Sequence, residues 1–121
     1  MRYRIPVAAL LAIMPFAAGA EVKLAQADAM RIEHRFTIAA PAAKAWETLV
    51  HPERYWPADH TWSGKRESLS IDPVAGGCYC ERWDGGSAVH GRVVMAVPGQ
   101  SLVLNAALGP FLEMAVSGIL A

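Results

Sequence analysis

Turn-forming residues divide the second half of this 121-residue chain so closely that it can fold only as a run of short strands. Asp72-Pro73 and Ala75-Gly76-Gly77 mark one reversal, Asp84-Gly85-Gly86 a second and Pro98-Gly99 a third, with a break at Leu108-Gly109-Pro110. Glycine supplies the backbone angles of tight turns and proline removes a ladder donor, so these clusters punctuate strands. The segments between them, 66–72, 78–83, 87–97, 101–107 and 111–121, read as consecutive antiparallel strands. With a three-residue loop at 84–86, Trp83 pairs with Ser87, Glu81 with Val89 and Tyr79 with Gly91. Tyr79, Glu81, Trp83, Val89, Val93 and Met95 then share one face, and Cys78, Cys80, Arg82, Ala88, His90 and Arg92 the other. The first set is larger and more apolar, so it is the inward one, and it carries Glu81 with it.

Upstream the pattern changes. Residues 30–39 alternate, with Met30, Ile32, His34, Phe36 and Ile38 on one side and Arg31, Glu33, Arg35 and Thr37 on the other, which is a strand with one apolar face. Pro41 suits a first helical turn, and Ala42, Ala45, Trp46, Leu49 and Val50 follow helical spacing. His51-Pro52 ends that helix, and a second short one runs to Pro57. Residues 58–65 form a loop.

The amino terminus has the layout of a secretory signal. Arg2 and Arg4 precede an apolar run from Ile5 to Ala18, and Ala18-Gly19-Ala20 offers small residues at a cleavage site. The run is short for a membrane span. We therefore expect a signal peptide over 1–20, a flexible lead-in over 21–29 and one domain over 30–121, exported to the periplasm or secreted, with no stable membrane span after cleavage. About 100 residues suffice for one small core. Eleven basic and eleven acidic residues cancel, so no electrostatic footprint for nucleic acid exists. Cys78 and Cys80 stand two apart on one strand face, near the far limit of disulfide geometry, and read as small, partly buried strand residues.

The chemistry-bearing residues are few. His34, His51, His60 and His90 have no metal-ligand spacing, and two cysteines are too few for a metal centre, so no metal, cofactor or catalytic residue is assigned. Glu81 is the most informative polar residue: a carboxylate on an apolar face either acts as an acid or base or is held by a partner. Trp46, Tyr55, Trp56, Trp62, Tyr79 and Trp83 form a dense aromatic set suited to core packing or to lining a cavity.

Three stretches carry a family resemblance. They are Ile-Glu-His-Arg-Phe-Thr-Ile-Ala-Ala-Pro-Ala-Ala-Lys-Ala-Trp-Glu-Thr-Leu (32–49), Pro-Val-Ala-Gly-Gly-Cys-Tyr-Cys-Glu (73–81) and His-Gly-Arg-Val-Val (90–94) with Pro98-Gly99 and Leu102-Val103-Leu104. In order and spacing they resemble the START-like, or SRPBCC, superfamily, in the branch of activator of heat-shock protein ATPase homologues. The resemblance implies an α+β helix-grip fold: an antiparallel sheet, with a short helix pair after the first strand, wrapped around a long carboxy-terminal helix with an apolar cavity between. Against that pattern we expect the domain to be incomplete at its carboxy terminus, without the final strand and the long helix. The uncovered sheet face leaves self-association open. The resemblance implies a binding domain for a small hydrophobic or aromatic molecule, with Trp46, Trp56, Tyr79, Glu81, Trp83, Val89 and Val93 as candidate ligand-binding residues. A polyketide cyclase or dehydratase-like enzyme using the same cavity, and a protein-interaction module of the chaperone-activator kind, are the alternatives.

Overall fold

The computed structural model describes residues 19–26, 29–114 and 117–121. The expected signal over 1–20 lies outside them except for its last two residues. These described residues fall into two compact units, divided between Ala39 and Ala40. The first is an antiparallel hairpin of β1 (Gly19–Ala25) and β2 (Met30–Arg35), with Val22 opposite Ile32. The stretch expected as a flexible lead-in over 21–29 therefore contains most of a strand. Its residues Glu-Val-Lys-Leu alternate polar and apolar, and β2 supplies the ladder partner that a local reading leaves out.

The second unit is α+β. Helix α1 (Ala42–Leu49) is followed by 3-10 turns at Pro52–Arg54, Ala58–His60 and Arg66–Ser68. A five-stranded antiparallel sheet then runs in chain order: β3 (Leu69–Ile71), β4 (Cys78–Trp83), β5 (Gly86–Val97), β6 (Ser101–Ala106) and β7 (Gly118–Leu120). A single helical turn, α2 (Pro110–Glu113), separates β6 from β7. The expected strand over 111–121 is thus confined to its last residues. Gly109 has φ +55° and Pro110 follows it, a pairing that turns the chain out of the sheet and starts a helix before it returns. Likewise 66–68 is a 3-10 turn and β3 begins only at Leu69.

Lys44 and Arg54 both bond the Glu47 carboxylate, which joins α1 to the turn after it. The core lies on one face of the sheet. Leu69, Tyr79, Val93, Leu104 and Ala106 are buried, with Trp56, Ile71, Ala96, Leu102 and Leu108 packed against them. Burying a leucine or valine side chain such as Leu69, Val93 or Leu104 contributes about 1.5–3 kcal/mol. Among the described residues no helix is long and apolar enough to cross a membrane.

The β4–β5 register departs from the expected one, with consequences for the site. The hairpin closes on two residues, Asp84-Gly85, with Gly85 at φ +81°, so Trp83 pairs with Gly86 rather than Ser87. Asp-Gly favours a two-residue turn because its twist matches that of the flanking strands. Glu81 then faces Ala88 and Cys80 faces Val89. A bulge at His90 absorbs the offset, and Tyr79 meets Gly91 as expected. Three residues change face. Ala88 and His90, expected on the side of the cysteines, turn onto the side of Glu81, and Val89, expected inward, lies on the side of Cys80 and is 42% exposed. A second irregularity at Val94 turns Met95 outward, while Val93 stays in the core.

Cys78 and Cys80 form a disulfide, against the expectation from spacing. Their Cα atoms are 5.4 Å apart, well inside the disulfide range, whereas two residues of a flat strand span about 6.6 Å. The bulge beside Cys80 twists the hairpin locally, and a bulge strengthens twist.

Candidate functional site

Glu81 is the most deeply buried ionisable side chain in the sheet, with no exposed surface. Four groups explain how a carboxylate survives there. The backbone N–H of Trp62 donates to Oε2 at 3.1 Å, and that of Ser63 donates to Oε1 at 2.5 Å. His90 donates from Nε2 to Oε2 at 2.9 Å, which fixes the proton on that nitrogen because an ionised carboxylate only accepts. The fourth is Tyr79, a core residue whose ring packs 5.2 Å from the imidazole. No buried side-chain nitrogen or oxygen among the described residues lacks a partner.

Burial alone raises the Glu81 pKa, but the hydrogen bonds from Ser63, His90 and the Trp62 amide outweigh it and hold the carboxyl below its ordinary 4.5. A carboxyl whose pKa is depressed on folding stabilises the fold above its unfolded value, and that contribution is lost as the pH falls through the folded value. Urea midpoints are therefore expected to stay level near neutrality and to fall below about pH 4.5, with a flatter acid limb in Glu81→Gln. An identical acid limb in the two proteins would remove Glu81 from that role. Burial raises the Tyr79 hydroxyl pKa, with Tyr55 and Glu81 adding to it, so the ring stays neutral and apolar in character.

The consequence of the Glu81 contacts lies outside the sheet. They hold the backbone at 62–63, and this loop forms one wall of an open cleft of about 530 Å³. Trp56, Trp62 and Leu108 supply the apolar lining, and Asp59, His60, Thr61 and Glu113 the polar one. The cleft falls within the usual size range of small-molecule sites. Trp56 is positioned twice: its indole N–H donates to the His60 carbonyl at 3.2 Å, and its ring meets Tyr79 edge-on at 6.3 Å. Trp62 is held only through its backbone, and its ring is 42% exposed.

Of the seven residues the sequence singled out, Trp56 alone lines this cleft. Tyr79 and Val93 belong to the core beneath it. Trp46 is half-buried on α1. Trp83 stands at the hairpin tip with its indole over Gly86, where an added Cβ would lie 2.5 Å from the ring; it covers a glycine in the strand pair. Val89 is on the other face, and Glu81 acts from behind the wall. The sequence had marked Trp62 as one of the aromatic set but gave it no role. Leu108 and Glu113 are separated from Trp56 by some fifty residues; Leu108 falls at an expected chain break, whereas Glu113 falls within the strand expected over 111–121.

No protein-family model matches the sequence, and no curated protein or solved structure is significantly similar to it.

Proposed function

We propose that this domain binds a small apolar or aromatic molecule in the cleft beside Trp56 and Trp62, as an exported, helix-grip-like module of the periplasm or the secreted fraction. The observation that carries the reading is the pairing of two indoles with Leu108 around about 530 Å³. Concave sites of this size with aromatic walls and a few polar groups are typical of ligand pockets. The signal-like amino terminus supports export, and a helix followed by five consecutive antiparallel strands supports a helix-grip-like reading.

The buried Glu81–His90 pair favours an enzyme as the second reading, since a carboxylate that orients an imidazole is a common acid–base arrangement. Two observations support binding over it. Neither residue lines the cleft, and both carboxylate oxygens are engaged by backbone amides of the wall. The pair holds the loop.

Titration of tryptophan fluorescence with a panel of apolar and aromatic compounds tests the proposal. Trp62→Ala is expected to weaken binding about tenfold, since stacking on a large ring contributes about 0.5–1.5 kcal/mol beyond the contact area and 1.4 kcal/mol is a factor of ten. Trp62 is exposed, so the fold should melt as before. If no compound changes the fluorescence, the binding reading fails and the protein-interaction module takes its place.

A further inference from the structure

The cleft has a charge as well as a shape. Its lining holds two carboxylates, Asp59 and Glu113, and no lysine or arginine. The chain as a whole carries equal numbers of acidic and basic residues, so the imbalance is local to this site. Among the described residues neither carboxylate has a basic partner, as is also true of Asp72 and Asp84, so neither charge is neutralised within the cleft. Two of the three apolar lining residues, Trp56 and Trp62, carry indoles, the side chains whose faces attract cations most strongly. An organic cation desolvated against an indole face keeps that attraction and gains the field of both carboxylates. An organic anion of the same shape meets repulsion from both.

From this we infer that the ligand is an organic cation, a quaternary ammonium or protonated amine on a compact apolar body, whose charged end lies between the Trp56 and Trp62 rings and the Asp59 and Glu113 carboxylates. The inference rests on the binding reading above and narrows it. Polarity of the lining decides between ligand classes here: a fatty-acid-like molecule would need a basic residue or a hydroxyl array for its carboxylate, and of these the lining offers only Thr61 and His60.

Three probes of nearly equal shape separate the contributions. Choline carries the trimethylammonium group, neohexyl alcohol replaces the nitrogen with carbon, and tert-butylacetate carries a negative charge. Isothermal titration of the full chain at low ionic strength should rank choline roughly tenfold tighter than neohexyl alcohol, with tert-butylacetate the weakest. The gap should narrow as salt is raised, because exposed charges are screened within about 8 Å at physiological ionic strength. The double variant Asp59→Asn with Glu113→Gln should bring the affinity of choline close to that of the alcohol. Trp62→Ala should weaken both. Both acidic residues are exposed, so these changes should leave the melting temperature where it was.

Equal or tighter binding of neohexyl alcohol would overturn the cation assignment and leave the apolar-ligand reading standing. Preference for tert-butylacetate would overturn it in the same way. A choline preference that survives the double carboxylate variant would remove Asp59 and Glu113 from the site. Absence of binding by all three probes, together with an unresponsive apolar panel, would bring down both readings.

Discussion

Glu81→Ala is expected to cost the domain about 3–5 kcal/mol at neutral pH, because it strips an ionised acceptor from several buried donors at about 1–3 kcal/mol each. Three donors lose their acceptor at once: the Trp62 amide, the Ser63 amide and His90 Nε2. Each orphaned buried donor costs about 1–3 kcal/mol unless water reaches it. A small domain has only about 5–15 kcal/mol in total, so the variant should sit near its unfolding threshold at ambient temperature. His90→Ala should cost less, because both amides then keep their carboxylate. Glu81→Gln should fall between wild type and alanine, since the side-chain amide retains one acceptor oxygen but turns its NH₂ toward a donor. Urea unfolding followed by tryptophan fluorescence gives the order. A Glu81→Ala protein within about 1 kcal/mol of wild type would show that water substitutes for the carboxylate and that the loop at 62–63 is held by something else.

The second large effect is expected at a turn. Gly77→Ala places a Cβ into the carbonyl oxygen of Asp72 and 2.8 Å from that of Val74, both backbone atoms that cannot step aside. The same turn is bonded to the core strand on both sides of Val93, whose N–H donates to the Gly77 carbonyl at 2.9 Å and whose carbonyl accepts from the Gly76 N–H at 2.8 Å. Relief of the clash therefore pulls on the most buried aliphatic residue of the sheet. Overpacking of this kind costs about 1–3 kcal/mol where side chains give way, and a backbone contact places the substitution at or above the top of that range. Gly76→Ala is the control. Its φ of +86° strains an alanine, but its Cβ meets open space, so about 1–2 kcal/mol is expected. Thermal melts of the two variants separate steric overlap from backbone strain. Equal losses would mean that strain alone makes this turn need glycine.

The contrast between these glycines shows how far the chain could be read in advance. Turn positions were legible because their chemistry is local: Gly76-Gly77, Asp84-Gly85 and Pro98-Gly99 each reverse the chain within a few residues, and α1 and four of the five sheet strands follow. Which glycine needs space and which needs a positive φ was not legible, because space depends on where Asp72 and Val74 point their carbonyls. The β1 strand was missed for a related reason: an alternating stretch next to a signal-like run becomes a strand only through its partner β2.

The site divides along the same line. The sequence by itself determined that a carboxylate at 81 would face the apolar side of the sheet, because strand parity within one strand is fixed by the pleat. It determined as well that aromatic residues would be concentrated between 46 and 83. The tertiary structure decided what surrounds that carboxylate. A two-residue turn in place of three, followed by a one-residue bulge, changed the face of His90 and set its imidazole against Glu81, and the 62–63 amides closed the remaining acceptor positions. It also decided where the cleft lies, by folding residues 108–113 beside the loop at 56–62. The physical reason is the same in both cases. Register and loop placement depend on contacts between residues distant in the chain, and a shift of a single residue exchanges the faces of a whole strand segment.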